Sequence, residues 1–174
     1  MKKFGFPICG AGSRSELRWI GYSAITALAL LIVDQLTKLL VLKSFKLYES
    51  HPVVDGIFSI TYVRNNGAAW SILSGHQLWL LLFAFVVLAA LIWFFRYLTD
   101  GYSERILALA LMISGIVGNS IDRLWHNEVI DFLDVHYYDV WNYPVFNVAD
   151  MAICCGVGLF ILSSLLRRRK EQAS

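Results

Sequence analysis

The sequence predicts an all-α polytopic membrane protein with four transmembrane helices and a small extracytoplasmic β element. Three observations predict it. Hydrophobic residues make up 57% of the 174 residues and charged residues only 16%, whereas a soluble domain holds roughly 45–50% and about 25%. The mean hydropathy is +0.58, an apolar excess that a core of this size cannot hide. The stretch Leu78–Phe95 runs for eighteen residues without a charge, hydroxyl or amide, and as a helix it would be about 27 Å long, enough to span a bilayer core.

The spans follow in order at about 17–42, 78–95, 106–121 and 145–166. The first is interrupted late by Asp34, Gln35, Thr37 and Lys38. It starts too late and runs too long for a cleaved signal peptide, and no A-x-A site follows, so it reads as an uncleaved span. Cys9 lacks a preceding apolar run and is not a lipidation site. The third span ends on Asp122-Arg123, and the fourth carries Asn147 and Asp150 near its start. The segment 43–75 contains Gly56-Ile57-Phe58-Ser59-Ile60-Thr61-Tyr62-Val63, rich in β-branched and aromatic residues, then Asn65-Asn66-Gly67, a turn signal. The β element is expected there. The loop from Asp122 to Pro144 reads as polar and acidic. Nothing repeats at a fixed period, so the chain is expected to be a single membrane-embedded domain.

Lysine and arginine set the orientation. Lys2, Lys3, Arg14, Arg18, Arg96, Arg105 and Arg167-Arg168-Arg169-Lys170 lie on one side, and only Lys43, Lys46, Arg64 and Arg123 on the other. The positive-inside rule places both termini in the cytoplasm. The basic run after span four is then a membrane-flanking cluster, and no basic stripe suited to nucleic acid occurs. Trp19, Trp70, Trp79, Trp93, Trp125 and Trp141 fit interfacial belts.

On this topology Asp34, Asn119, Asp122, Asn147 and Asp150 share one depth, near the outer membrane–water boundary, with Lys38 one turn from Asp34. Ionisable groups at such depth are costly and face a cavity or each other. The apolar inner halves of the spans disfavour a transporter, which needs polar groups at the midplane. No serine lies in a G-x-S-x-G context, and no H-E-x-x-H occurs. Cys9, Cys154 and Cys155 form no disulfide framework, and the scattered His51, His76, His126 and His136 no zinc site, so no metal or cofactor is expected. Carboxylates remain: Asp122, Asp131, Asp134, Asp139 and Asp150 lie in or beside the outer loop. Two held close share a proton, one acting as base on water and the other as acid on a carbonyl. The residues alone do not choose the pair.

Five segments then resemble one family. Asp34-Gln35-Leu36-Thr37-Lys38 resembles a D-Q-x-T-K motif, Asn65-Asn66-Gly67-Ala68-Ala69-Trp70 resembles N-x-G-x-A-F, and Gly118-Asn119-Ser120-Ile121-Asp122-Arg123 resembles G-N-x-x-D-R. Val129-Ile130-Asp131-Phe132 resembles V-x-D-F, and Phe146-Asn147-Val148-Ala149-Asp150 resembles F-N-x-A-D. Together they resemble the lipoprotein signal peptidases (signal peptidase II). Trp70 stands where that family usually has Phe. The resemblance implies an aspartic endopeptidase of the bacterial inner membrane, active near the extracytoplasmic face. It would cut lipid-modified prolipoproteins before the diacylglyceryl-cysteine and bind membrane lipids and globomycin-type inhibitors. It implies Asp131 and Asp150 as the catalytic pair, with Asp34, Lys38, Asn65, Gly67, Asn119, Asp122, Arg123 and Asn147 lining or supporting the substrate site.

Each residue also has a plainer reading. Asp34 and Lys38 form an i,i+4 pair. Asn65-Asn66-Gly67 is a turn, and Asn119 and Asn147 suit interhelical hydrogen bonds. Arg123 can snorkel or pair with Asp122, and loop carboxylates such as Asp131 are mostly solvated. Together these define the rival class, a non-enzymatic lipid-binding or assembly factor whose aspartates only hold helices together.

Overall fold

The structure is a computed structural model, which describes residues 14–67, 74–138 and 140–173. The expectations for Lys2, Lys3, Cys9, Trp70 and Asp139 lie outside the described residues. The elements run α1 (Arg14–Ser44), β1 (Ser50–Val54), β2 (Phe58–Asn65), α2 (Gln77–Trp93), α3 (Phe95–Thr99), α4 (Ser103–His126), β3 (Val129–Tyr137), β4 (Trp141–Asn142) and α5 (Val148–Ala173).

Among the described residues three helices, Arg14–Ser44, Ser103–His126 and Val148–Arg169, are long and apolar enough to cross a membrane. The stretch with the plainest apolar signal is the shorter helix. α2 holds 17 residues, and the chain turns into α3 before Phe95. At the end of α3 Asp100 takes a left-handed φ of 48°, which an Asp tolerates, and the chain reverses into α4. α4 ends where Asn127 adopts φ 57° and donates its N–H to the Arg123 carbonyl at 3.1 Å, a left-handed cap that Asn tolerates.

The mostly helical fold carries the expected β element, which extends beyond the segment 43–75. The β element is a four-stranded antiparallel sheet in the order β1-β2-β3-β4, and half of it comes from the loop read as merely polar and acidic. Val129-Ile130-Asp131-Phe132 is buried on β3, with Val63 opposite Asp131 and Asn65 opposite Val129. The acidic residues masked a β-branched, aromatic pattern. Gly56 closes the β1–β2 turn with φ 72°, and a Cβ there would lie 2.5 Å from the Tyr138 ring, so only glycine fits.

The sheet packs through Tyr62, Ile130 and Phe132 on Val41 of α1. α4 and α5 lie close because small residues meet: a Cβ at Gly115 would sit 2.2 Å from the Ala149 carbonyl oxygen, and one at Gly156 2.6 Å from that of Ala108. Ser114 Oγ ties α4 to α1 by donating to the Ala27 carbonyl at 2.8 Å. Outward faces carry large apolar residues such as Ile25, Leu28, Phe83, Val86 and Ile161. Cys154 and Cys155 are free, exposed thiols on α5, and Cys154 lies at the edge of the cavity described below.

Candidate active site

α5 begins with a reciprocal cap. Asn147, just before the helix, accepts the Asp150 N–H on its Oδ1 at 2.9 Å and donates its own N–H to Asp150 Oδ2 at 3.1 Å. This is the capping-box geometry, with a carboxylate three residues into the helix, and it fixes Asp150 at the favourable positive end of the helix dipole. Asn119 of α4 donates to the other carboxylate oxygen, Oδ1, at 2.7 Å.

Asp131 arrives from the sheet. Asn147 Nδ2 donates to its Oδ1 at 2.7 Å and Asn65 Nδ2 to its Oδ2 at 2.9 Å. Asp131 is only 1% exposed. Burial pushes its pKa up to about 7, and the neighbouring charge of Asp150 adds to the rise, against the lowering effect of the two asparagine bonds. Asp131 and Asp150 both line a cavity of about 250 Å³, with Asn65, Asn119, Arg123, Tyr143 and Phe146 around them and Val129, Val145 and Ile153 as apolar wall.

A buried ion cluster lies beneath the cavity. Lys38 Nζ, 2% exposed, meets Asp34 Oδ2 at 2.9 Å, Asp122 Oδ2 at 2.8 Å and Asn119 Oδ1 at 3.1 Å. Asp34 accepts the Ala149 N–H at 2.8 Å and Asp122 the Ile130 N–H at 3.2 Å. The cluster therefore grips the start of α5 and the start of β3, the two segments that carry Asp150 and Asp131. A Cβ at Gly118 would lie 2.7 Å from Asp34 Oδ2, so glycine is needed for Asp34 to reach across α4. Asn119 belongs to both tiers, accepting from Lys38 and donating to Asp150.

All ten residues singled out from the sequence thus fall into one connected region. Arg123 reaches the Gly67 carbonyl at 3.0 Å and the Asn119 carbonyl at 3.3 Å. Gly67 donates its N–H to Asn65 Oδ1 at 2.9 Å, an Asx turn that explains the Asn-x-Gly spacing. Asp134, the rival carboxylate on β3, accepts instead from Thr61 Oγ1 at 2.7 Å and does not line the cavity. Asp131 is not a solvated loop residue. Gln35, a polar interruption of the first span and the second residue of the D-Q-x-T-K segment, also joins the cluster. It donates to Asp34 Oδ2 and Asp122 Oδ1, both at 3.1 Å, and its position beside Asp34 in the motif was the available signal. Among the described residues no grouping of His, Cys, Asp and Glu could hold a metal ion.

Long apolar helices around a cavity lined by one buried and one half-buried carboxylate, both hydrogen-bonded, define the class: a helical membrane protein with a polar site at one end of its bundle. The family model for signal peptidase (SPase) II matches residues 26–166. The lipoprotein signal peptidase of Geobacter metallireducens is 46% identical over 153 residues, covering 86% of this chain and 93% of that one. That of Bacillus subtilis is 41% identical over 149 residues, covering 84% and 96%. A solved structure of a bacterial membrane enzyme at 2.3 Å resolution superimposes with a TM-score of 0.78 at 37% identity, covering 84% of this chain and 88% of that one. The chain belongs to the signal peptidase II family and is a peptidase, which removes the non-enzymatic reading.

Proposed function

We propose that this peptidase removes signal peptides from lipid-modified prolipoproteins, cutting before the diacylglyceryl-cysteine with Asp131, Asp150 and a water. The observation that carries the reading is the cavity onto which both carboxylates open, each oriented by two donated hydrogen bonds. The rise of Asp131 to about 7 supports a pair that holds one proton near neutral pH. One carboxylate takes a proton from water as the hydroxyl adds to the scissile carbonyl carbon. The other gives its proton to the carbonyl oxygen. As the C–N bond breaks, the carboxyl that took the water's proton gives it to the departing amine, and a hydroxyl of the tetrahedral diol returns a proton to the other carboxylate, so the pair again holds one.

The setting suits a lipid-borne substrate. The apolar cavity wall lies at one end of helices whose outer surfaces face lipid. A peptide whose cysteine carries two acyl chains would keep them in the membrane while the scissile bond meets the carboxylates. Arg14 and Arg18 open α1, and Arg167, Arg168 and Arg169 lie near the end of α5. With the aspartates at the opposite end of α5, this supports cytoplasmic termini and an extracytoplasmic site. Globomycin-type inhibitors would occupy the same cavity.

The test is incubation of the purified protein with a diacylglyceryl-modified precursor peptide and its unmodified twin, with and without globomycin. The expected result is cleavage directly before the modified cysteine only, blocked by globomycin. Cleavage of the unmodified twin at equal rate would overturn the substrate assignment.

A further inference from the structure

The bundle end opposite the aspartates holds a second groove that peptide cleavage does not use. Arg167 lies seventeen residues beyond Asp150 on α5, about 25 Å along the helix. The groove has a volume of about 490 Å³ and is lined by Leu159, Leu162 and Leu166, with Glu104, Ser163, Arg167 and Arg169 around them. Leu159, Leu162, Leu166 and Arg169 recur at helical spacing and form one stripe, three leucines ending in a guanidinium. Leu162 is 53% and Leu166 51% exposed, so the stripe is not covered by another helix.

The floor of the groove is already neutralised. Glu104 accepts from Arg167 and, at 3.0 Å, from Ser163 Oγ. The Arg167 guanidinium lies over the Tyr102 ring. Arg105 donates to Ser163 Oγ at 3.3 Å and to the Leu98 carbonyl at 3.4 Å. Arg169 has no hydrogen-bond or ion-pair partner among the described residues, and Arg168 beside it is exposed. Glu104 against Arg105, Arg167 and Arg169 leaves net positive charge at the mouth of an apolar slot. That charge is complementary to a phosphate, and the leucine wall is complementary to an alkyl chain.

We propose that this groove binds one anionic phospholipid, its phosphate on Arg169 and Arg167 and an acyl chain along Leu166, Leu162 and Leu159. Basic pockets between spanning helices suit anionic headgroups, since each nearby Arg adds attraction that a zwitterionic headgroup largely cancels.

The test is native mass spectrometry of the detergent-solubilised full chain titrated with dioleoylphosphatidylglycerol or dioleoylphosphatidylcholine. One phosphatidylglycerol should bind before any phosphatidylcholine adduct forms. Arg169→Gln should weaken that adduct about fivefold, and Leu162→Phe should weaken it by filling the slot at unchanged charge. Arg168→Gln removes the same charge a third of a turn away and should leave binding nearly unchanged. All three positions are exposed, so their unfolding temperatures should match the wild type. Equal adducts of the two lipids, equal weakening by Arg168→Gln and Arg169→Gln, or displacement of the lipid by an equal concentration of inorganic phosphate would each overturn the proposal.

Discussion

Asn147 donates its side-chain N–H to Asp131 at 2.7 Å, across the junction between helix α5 and strand β3. Its backbone N–H bonds Asp150 at 3.1 Å. One residue therefore fixes the relation of two carboxylates from different elements, and it does so without exposure to solvent. A buried asparagine can satisfy several partners at once because its amide both donates and accepts.

Asn147→Ser separates the two tasks. Serine keeps a cap oxygen for the Asp150 N–H but cannot reach Asp131. Cleavage should fall by about a hundredfold, the order expected from a small misplacement of reacting groups, with stability lowered by about 1–3 kcal/mol because the Ile130 carbonyl and Asp131 lose a buried donor. Asn147→Ala should lose similar activity and a further ~1 kcal/mol of stability from the missing cap. Rate and thermal unfolding measured on both variants check this.

The raised pKa of Asp131 gives stability a signed pH dependence. Between the ordinary carboxylate range and about 7, the folded state holds a proton that the unfolded state has released. Stability from this group therefore falls as pH rises from about 4 to about 7 and is flat above. Asp131→Asn should flatten that slope, which denaturant unfolding at pH 5 and pH 8 measures. Cleavage should decline as pH passes about 7, when the pair loses its shared proton. A rate still rising at pH 9 would contradict the shared proton.

Lys38 is the counter-case, where loss of charge should unfold rather than inactivate. Lys38→Met leaves Asp34 and Asp122 facing each other in a buried site, at distances that were 2.9 Å and 2.8 Å from the ammonium. Breaking a buried pair in this way costs about 3–5 kcal/mol. Stability should drop by that order, which thermal unfolding of the variant beside the wild type measures.

Gly118→Ala tests whether Asp34 acts through α5. The added methyl would meet Asp34 Oδ2 at 2.7 Å and the Ala149 Cβ at 3.2 Å. Asp34 must then release the Ala149 N–H, and the start of α5, with Asp150, shifts. The expected result is lower kcat at nearly unchanged KM, measured on the lipid-modified peptide.

The sequence carried the site further than the fold. Span boundaries near Asp34, Asp122 and Asp150 placed the polar residues at one depth because helical rise is uniform, and the five motifs named the residues that the folded chain brings together. The two tiers were not readable. That Lys38 sits between Asp34 and Asp122, or that Ala149 and Ile130 lend backbone N–H groups to those aspartates, depends on how α1, α4, α5 and β3 pack. Strand β3 was hidden because its acids, Asp131 and Asp134, read as solvated loop residues, whereas pairing with β2 buries the first and bonds the second to Thr61. The uninterrupted apolar run gave the plainest helix signal, yet hydropathy alone did not reveal that α2 ends at Trp93 and turns into α3.

The central claim is that Asp131 and Asp150 perform the cleavage. The most direct measurement is turnover of a diacylglyceryl-modified precursor by Asp131→Asn and Asp150→Asn, each verified as membrane-inserted and folded. Both should lose cleavage while keeping wild-type or higher unfolding temperatures, because removing a charge from two neighbouring, desolvated carboxylates relieves repulsion. Wild-type turnover by either variant would contradict the account.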